Sequence, residues 1–576
     1  MNIRLKTLWL SIILAGLVRA SVFAQQPAED NSAPQPDKLY VHLDKPFYAT
    51  GETIWYKTYF LYQDTSNIKS NIIYLDLISP TGEVLVHQKL LRTQLYAYGE
   101  ISVPPEWEEG YYTLRYYTRW NLNFSDDEIY LQRIPIYNPY ENPVASSSES
   151  PVLQTLTKPG RQYLKISLQT QQQVYSKSDS VRVTIAVTDA AQKPIKANLS
   201  LAVLDAGLVT LHESSETAER PSYISSPTAP TSLKFAPEKA LTLPVTIASP
   251  TTSEPVSSQF ISVYRIEDHA FINTSVEQGG LSISLPNFFG PRTFQIHNHN
   301  PFQASSPDIA VNSILDSIPL PDLPDYSPPR TPEVKRYLYL SKLRNKLYEI
   351  FDLTPPVESG DSKPEATAFV PNKAYSMEKY QLMKTVEEFI SNVLVKANIS
   401  SDNRRKSVRL FEPVDQRYLE DSPWYMINGY LTTQEDEVLA MPLSSIEKIE
   451  IYLQEKTIVQ QFPFLMARGG VIAIYTKDKK PPTELITERN TFTWQGFHPP
   501  QPFNSSEYRL NQGDNTPDFR PLVYWEPIIE TDGQGKAVIT FPTSKAISQF
   551  TIQVEGASTK GAFGKAKTSY QTQFSP

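Results

Sequence analysis

The chain has 576 residues, room for roughly three to five domains. It has no cysteine, which excludes disulfides, thiolate metal sites, a Cys nucleophile, an internal thioester and an acylated-cysteine lipid anchor. A net charge of −8, with no basic stripe interleaved with aromatics, speaks against nucleic acid as a partner.

In chain order, Arg4 and Lys6 precede the apolar run TLWLSIILAGLV, which is too short to span a bilayer. Val22-Phe23-Ala24 follows in small-x-small order. Residues 1–24 therefore read as a secretory signal cut after Ala24, and no later stretch is apolar enough to span as a helix. Residues 25–37 read as a flexible leader. Residues 38–138 hold NIIYLDLIS, EVLVHQKLL, YYTLRYYTRW and IYLQRIPIY, which predict an antiparallel β-sandwich. A Pro/Ser linker, 139–160, leads to a second β-domain over 161–300. Its stretch 213–258, rich in Ser, Thr, Pro and Glu, is expected to be a flexible insert. Residues 301–370 read as a Pro-rich linker carrying a helix over 333–351. Thr331-Pro332-Glu333 supplies the helix start, and Val334, Tyr337, Leu338, Leu340, Leu343, Leu347 and Ile350 an apolar stripe. The stripe suits core packing or a docked partner. Residues 371–480 mix an amphipathic helix with the strands VRLFEP, PWYMINGYL, IEKIEIYL and GVIAIYTK, predicting an α+β unit. A linker, 481–520, precedes a small β-unit over 521–576.

Few residues suggest chemistry. No G-x-S-x-G elbow, H-E-x-x-H helix or phosphate loop is present. Of seven His, only His297 and His299 share a strand face, and a metal site wants a third ligand. The reading is therefore a non-enzymatic protein without metal, cofactor or small-molecule substrate. Trp107, Tyr112, Tyr116 and Trp120 form a candidate protein-contact face, although alternation along a strand sends about half of the nearby rings into the core. Arg220 and Lys234 in the insert are candidate protease cleavage points, as exposed flexible segments generally are.

One phrase occurs twice. In YATGETI a Tyr is followed by acid, hydroxyl and β-branched residues, as Tyr48, Glu52, Thr53 and Ile54. In YSKSDSV the same order returns as Tyr175, Asp179, Ser180 and Val181. Each Tyr is expected to anchor a strand start on a core, with the acid in an exposed turn. KLYVHLDKPFYATGETIWYKTYF resembles the second macroglobulin domain of the alpha-2-macroglobulin family. VYSKSDSVRVTIAVTDAAQKPIKANLSLAVLDAGL resembles a further macroglobulin domain on the side of the family's bait region. The stretch from Tyr524 to Gly564 resembles the entry into its central macroglobulin domain. The resemblance implies tandem β-sandwiches. The family's thioester needs Cys-Gly-Glu-Gln; here Ser275-Val276-Glu277-Gln278 stands instead, so covalent trapping of a protease is excluded.

PWYMINGYL, PLSSIEKIEIYL and GGVIAIYTKDKK resemble, in order and spacing, the plug domain of TonB-dependent outer-membrane receptors. Asn428-Gly429 supplies the tight turn, and Ile446, Ile449 and Ile451 are expected in the core. No barrel follows, so such a unit would dock rather than gate. The two resemblances together look like envelope proteins of Bacteroidetes-type bacteria. They imply a periplasmic or outer-membrane-associated accessory factor that docks on an outer-membrane receptor or assembly. The alternative is a thioester-less macroglobulin-type inhibitor that traps a protease sterically.

Overall fold

A computed structural model describes residues 34–61, 68–141, 164–209, 232–248, 259–298, 308–311, 327–350, 369–503 and 518–574, apart from a few short stretches within them. The described chain is mainly β, made of antiparallel sandwiches and one small α+β unit.

The first sandwich contains β1 (Leu39–Leu43), β2 (Tyr48–Ala49), β3 (Thr53–Phe60), β4 (Ile72–Ile78), β5 (Val84–Leu91), β6 (Tyr96–Ser102), β7 (Gly110–Tyr117) and β8 (Tyr130–Tyr137). Sheet β1-β3-β6 faces sheet β2-β8-β7-β4-β5. Alternate side chains meet between them, including Ile54 and Tyr56 from one sheet and Leu75, Leu114 and Tyr116 from the other.

The next four strands are β9 (Lys165–Thr170), β10 (Val174–Ser176), β11 (Ser180–Thr188) and β12 (Ala197–Asp205). Their partners lie at the far end of the chain: β29 (Leu522–Glu530), β30 (Lys536–Pro542), β31 (Gln549–Ser558) and β32 (Phe563–Gln573). Sheets β10-β32-β31-β12-β29 and β30-β11-β9 close one core. The last strands thus complete this sandwich and are not a unit of their own. Likewise 161–300 is not one domain. Local patterning marks strands but not the partner a strand will take.

A third sandwich lies between these halves. It contains β13 (Leu241–Ala248), β14 (Gln259–Arg265), β15 (Ala270–Val276), β16 (Gly280–Leu285), β17 (Pro291–Asn298), β18 (Asp308–Val311) and β28 (Thr491–Gln495). Its sheets are β16-β13-β18 and β15-β14-β17-β28. Three segments expected to be insert or linker therefore contribute strands, at 241–248, 308–311 and 491–495. Pro244 obscured the first. It is tolerated because β18 pairs with β13 only from Val245 onward, leaving a bare edge where Pro lacks a donor. The expected insert is otherwise packed at 235–239: Phe235 N donates to Asn123, and Tyr74 Oη donates to the buried Glu238. Residues 210–231 and 249–258 lie outside the described residues.

The α+β unit comprises β19 (Lys373–Ser376), α2 (Val386–Val393), β20 (Asn398–Asp402), β21 (Arg405–Arg409), β22 (Phe411–Glu412), β23 (Arg417–Tyr418), β24 (Trp424–Ile427), β25 (Tyr430–Thr432), α3 (Glu435–Ala440), β26 (Ile446–Tyr452) and β27 (Val471–Thr476). Its main sheet runs β19-β26-β27-β24-β25. Asn428 and Gly429 join β24 to β25 with φ of 50° and 92°, the turn that Asn-Gly favours. Ile446, Ile449 and Ile451 are buried against α2 and α3, as expected. The opposite sheet face is also covered. Met426, Val471 and Ala473 pack on Tyr264 and Ile266 of the third sandwich, and both Gln295 amide atoms bond Leu431 of β25. Burial on both faces explains the continuous apolar run VIAIYT.

Helix α1 (Pro332–Ile350) has Thr331 as its cap, the hydroxyl accepting from Val334 N. Its first half buries Val334, Tyr337 and Leu338 between the first two sandwiches. Its second half departs from the expected stripe. Arg344 is buried, Leu340, Leu343 and Leu347 are half-buried, and Ile350 is exposed. No helix among the described residues is long and apolar enough to cross a membrane.

Candidate functional site

The repeated phrase builds the same hook twice. Tyr48 starts β2, which pairs in parallel with β8; Tyr175 lies in β10, which pairs in parallel with β32. Both rings are buried. Each hydroxyl accepts from a backbone N–H three residues back, Lys45 N at 3.4 Å and Gln172 N at 3.0 Å. Each acid then accepts from a backbone N–H three residues back, Ala49 N to Glu52 and Ser176 N to Asp179. The acid closes the turn in both copies.

The copies differ in what covers that acid. Asp179 is exposed, as expected. Glu52 is only 9% exposed, a correction to the expected exposed turn, because α1 lies over it. Tyr337 Oη donates to Glu52 at 2.6 Å, Arg344 Nη2 pairs with it at 2.6 Å and Lys45 Nζ at 2.7 Å. Burial would raise the Glu52 pKa; Lys45 and Arg344 outweigh it and hold the carboxyl at about 2. Asp44 is adjacent, one oxygen accepting from Tyr48 Oη and Trp55 N, the other buried without a hydrogen bond. There burial wins over Lys45 and pushes the carboxyl up to about 6. Sequence reading missed Arg344. Its signal was a cation at 344 in the stripe set by 337 and 341, where an apolar residue would continue the helix face.

A cleft of about 490 Å³ opens beside this cluster. Trp55, Phe503, Tyr348 and Leu522 form apolar wall, and Lys45 and Arg344 lie among the lining residues. Among the described residues no group of His, Cys, Asp and Glu could hold a metal ion. His297 is buried against the edge of Trp424, and His299 lies outside the described residues.

The aromatic contact face is not formed. Tyr112, Tyr116 and Trp120 are buried, and Trp107, partly buried, stacks on Tyr112. The alternation argument assumed an open outer sheet face. Here that face is covered too: Tyr74 and Tyr117 pack into the third sandwich's core. Lys234 is exposed, while Arg220 and Ala24 lie outside the described residues.

No family model matches the chain, and no curated protein matches it by sequence. Solved structures similar to it include Salmonella alpha-2-macroglobulin reacted with methylamine, at 9% identity and TM-score 0.24, over 96% of this chain and 40% of that one. Escherichia coli alpha-2-macroglobulin activated by porcine elastase gives 9% and 0.25, over 93% and 44%. The trypsin-activated Escherichia coli protein gives 10% and 0.24, over 95% and 42%. This chain spans about two fifths of the length of those proteins. Likeness at this level does not carry their function across.

Proposed function

We propose that the chain is a non-enzymatic, exported envelope protein that works by protein–protein contact, with its plug-like α+β unit as the docking element for an outer-membrane receptor or assembly. The observation that carries this reading is where exposed apolar side chains lie. Two of the four most exposed large ones among the described residues belong to this unit, Leu382 at 99% and Val414 at 68%, and a third, Val370 at 71%, immediately precedes it. These exposed apolar side chains are available for contact with a partner. The unit's sheet is meanwhile fixed to the third sandwich, so a partner would meet a rigid unit.

The test is a mild-detergent pull-down of the tagged full chain from its own cells. A barrel protein recovered with the native chain should be lost with Leu382→Asp/Val414→Asp. Recovery of the same partner with both chains refutes the docking face. The inhibitor alternative keeps less support, since part of the proposed bait is packed strand. It requires a bound protease cut into 213–258, at Arg220 or the exposed Lys234.

A further inference from the structure

The cleft beside Glu52 is lined by two buried cations. Lys45 and Arg344, 4% and 6% exposed, both line it and share Glu52. The Glu52 oxygens are already used by Lys45, Arg344, Tyr337 and Ala49 N. Arg344 pairs with Glu52 through Nη2 and is itself one of the residues that line the cleft. Asn345 adds a side-chain amide to the lining. The other cation there, Arg520, is held by Asp518, and the other acid, Glu349, is exposed. Above this floor Trp55 and Phe503 meet edge to face at 5.3 Å, with Tyr348 and Leu522 beside them. Buried cations beneath an aromatic wall complement an anion carried on an apolar body.

We propose that this cleft binds a carboxylate adjoining an aromatic or apolar group, as at the C-terminal residue of a peptide. The peptide source rests on the reading of the chain as a contact protein; the carboxylate preference does not. A free aromatic acid offers the same chemistry.

The test is fluorine NMR titration of the full mature chain with N-acetyl-Ala-Pro-4-fluorophenylalanine, its C-terminal amide, and N-acetyl-4-fluorophenylalanine. The peptide acid should bind at least about tenfold more tightly than its amide, since a charge-assisted contact is lost in the amide. Asn345→Asp, which leaves the Glu52 cluster intact, should weaken the acid by about tenfold and leave the amide unchanged. Phe503→Ala should weaken both. Equal binding of acid and amide, no binding by either, or indifference to Asn345→Asp overturns the site. If the single-residue acid binds as well as the peptide, the carboxylate site stands and the peptide source falls. Binding of the peptide acid by a chain whose Leu382 face fails the pull-down leaves this site standing and refutes only the docking face.

Discussion

Glu52→Gln tests whether α1 is held to the first sandwich by charge. The substitution keeps the shape of the side chain and removes the one anion that Lys45 and Arg344 share, stranding two cations that are less than a tenth exposed. A carboxyl held at about 2 against an ordinary 4.5 corresponds to ~3 kcal/mol of preferential stabilisation of the ion, at about 1.4 kcal/mol per unit. Stranding the partner of a buried pair costs about 3–5 kcal/mol, in agreement. The apolar seat of α1 through Val334, Tyr337 and Leu338 is unchanged, so the loss should appear as local opening. Amide hydrogen exchange over 332–350 should speed up by roughly 100-fold. The chain contains its own control: Asp179→Asn removes the equivalent acid where no helix covers it and should cost less than ~1 kcal/mol. If Glu52→Gln speeds exchange in α1 by less than about threefold, or costs no more than Asp179→Asn, the buried-pair reasoning is wrong.

Asp44 gives a pH dependence of opposite sign to that of Glu52. Its folded pKa of about 6 exceeds the ordinary 3.8, so its contribution is full below 3.8 and lost as pH rises through 6. The Glu52 contribution is full above 4.5 and lost as pH falls toward 2. Melting temperature should therefore fall between pH 4.5 and 7, and Asp44→Asn should flatten that slope; an unchanged slope assigns it elsewhere. Tyr116→Ala should cost about 3–5 kcal/mol in urea unfolding and leave partner recovery by the folded fraction unchanged, because the ring is core and not contact surface. Gln295→Leu strands the Leu431 backbone groups and should cost about 2–4 kcal/mol, read as faster exchange over 424–432.

What the sequence carried was local. The Asn428-Gly429 turn, the inward Ile446, Ile449 and Ile451, and the helix start at Thr331 each depend on a few adjacent residues. The Tyr48 and Tyr175 hooks were legible for the same reason. What failed depended on distant packing. Glu52 and Asp179 read alike, and only the arrival of α1, some 285 residues later, separates them. Alternation along β7 does not say which of its rings face inward: Tyr112 and Tyr116 point into the first sandwich's own core, and nothing local announces that the third sandwich covers the outward Tyr117. Strand β13 was hidden by Pro244 and its Ser/Thr-rich surroundings.

The second sandwich is a clasp fastened last. Ala197 and Thr531, joined by a hydrogen bond at its seam, are 334 residues apart, and the third sandwich and the α+β unit lie in the intervening chain. During synthesis β9 to β12 emerge with bare edges and wait for β29 to β32. Contacts of such long range are slow to form and leave pairing edges open meanwhile. A premature stop near residue 520 would therefore do more than trim the end. It would leave β12 without both of its neighbours, an apolar strand open on either side, and turn an early domain into a template for aggregation.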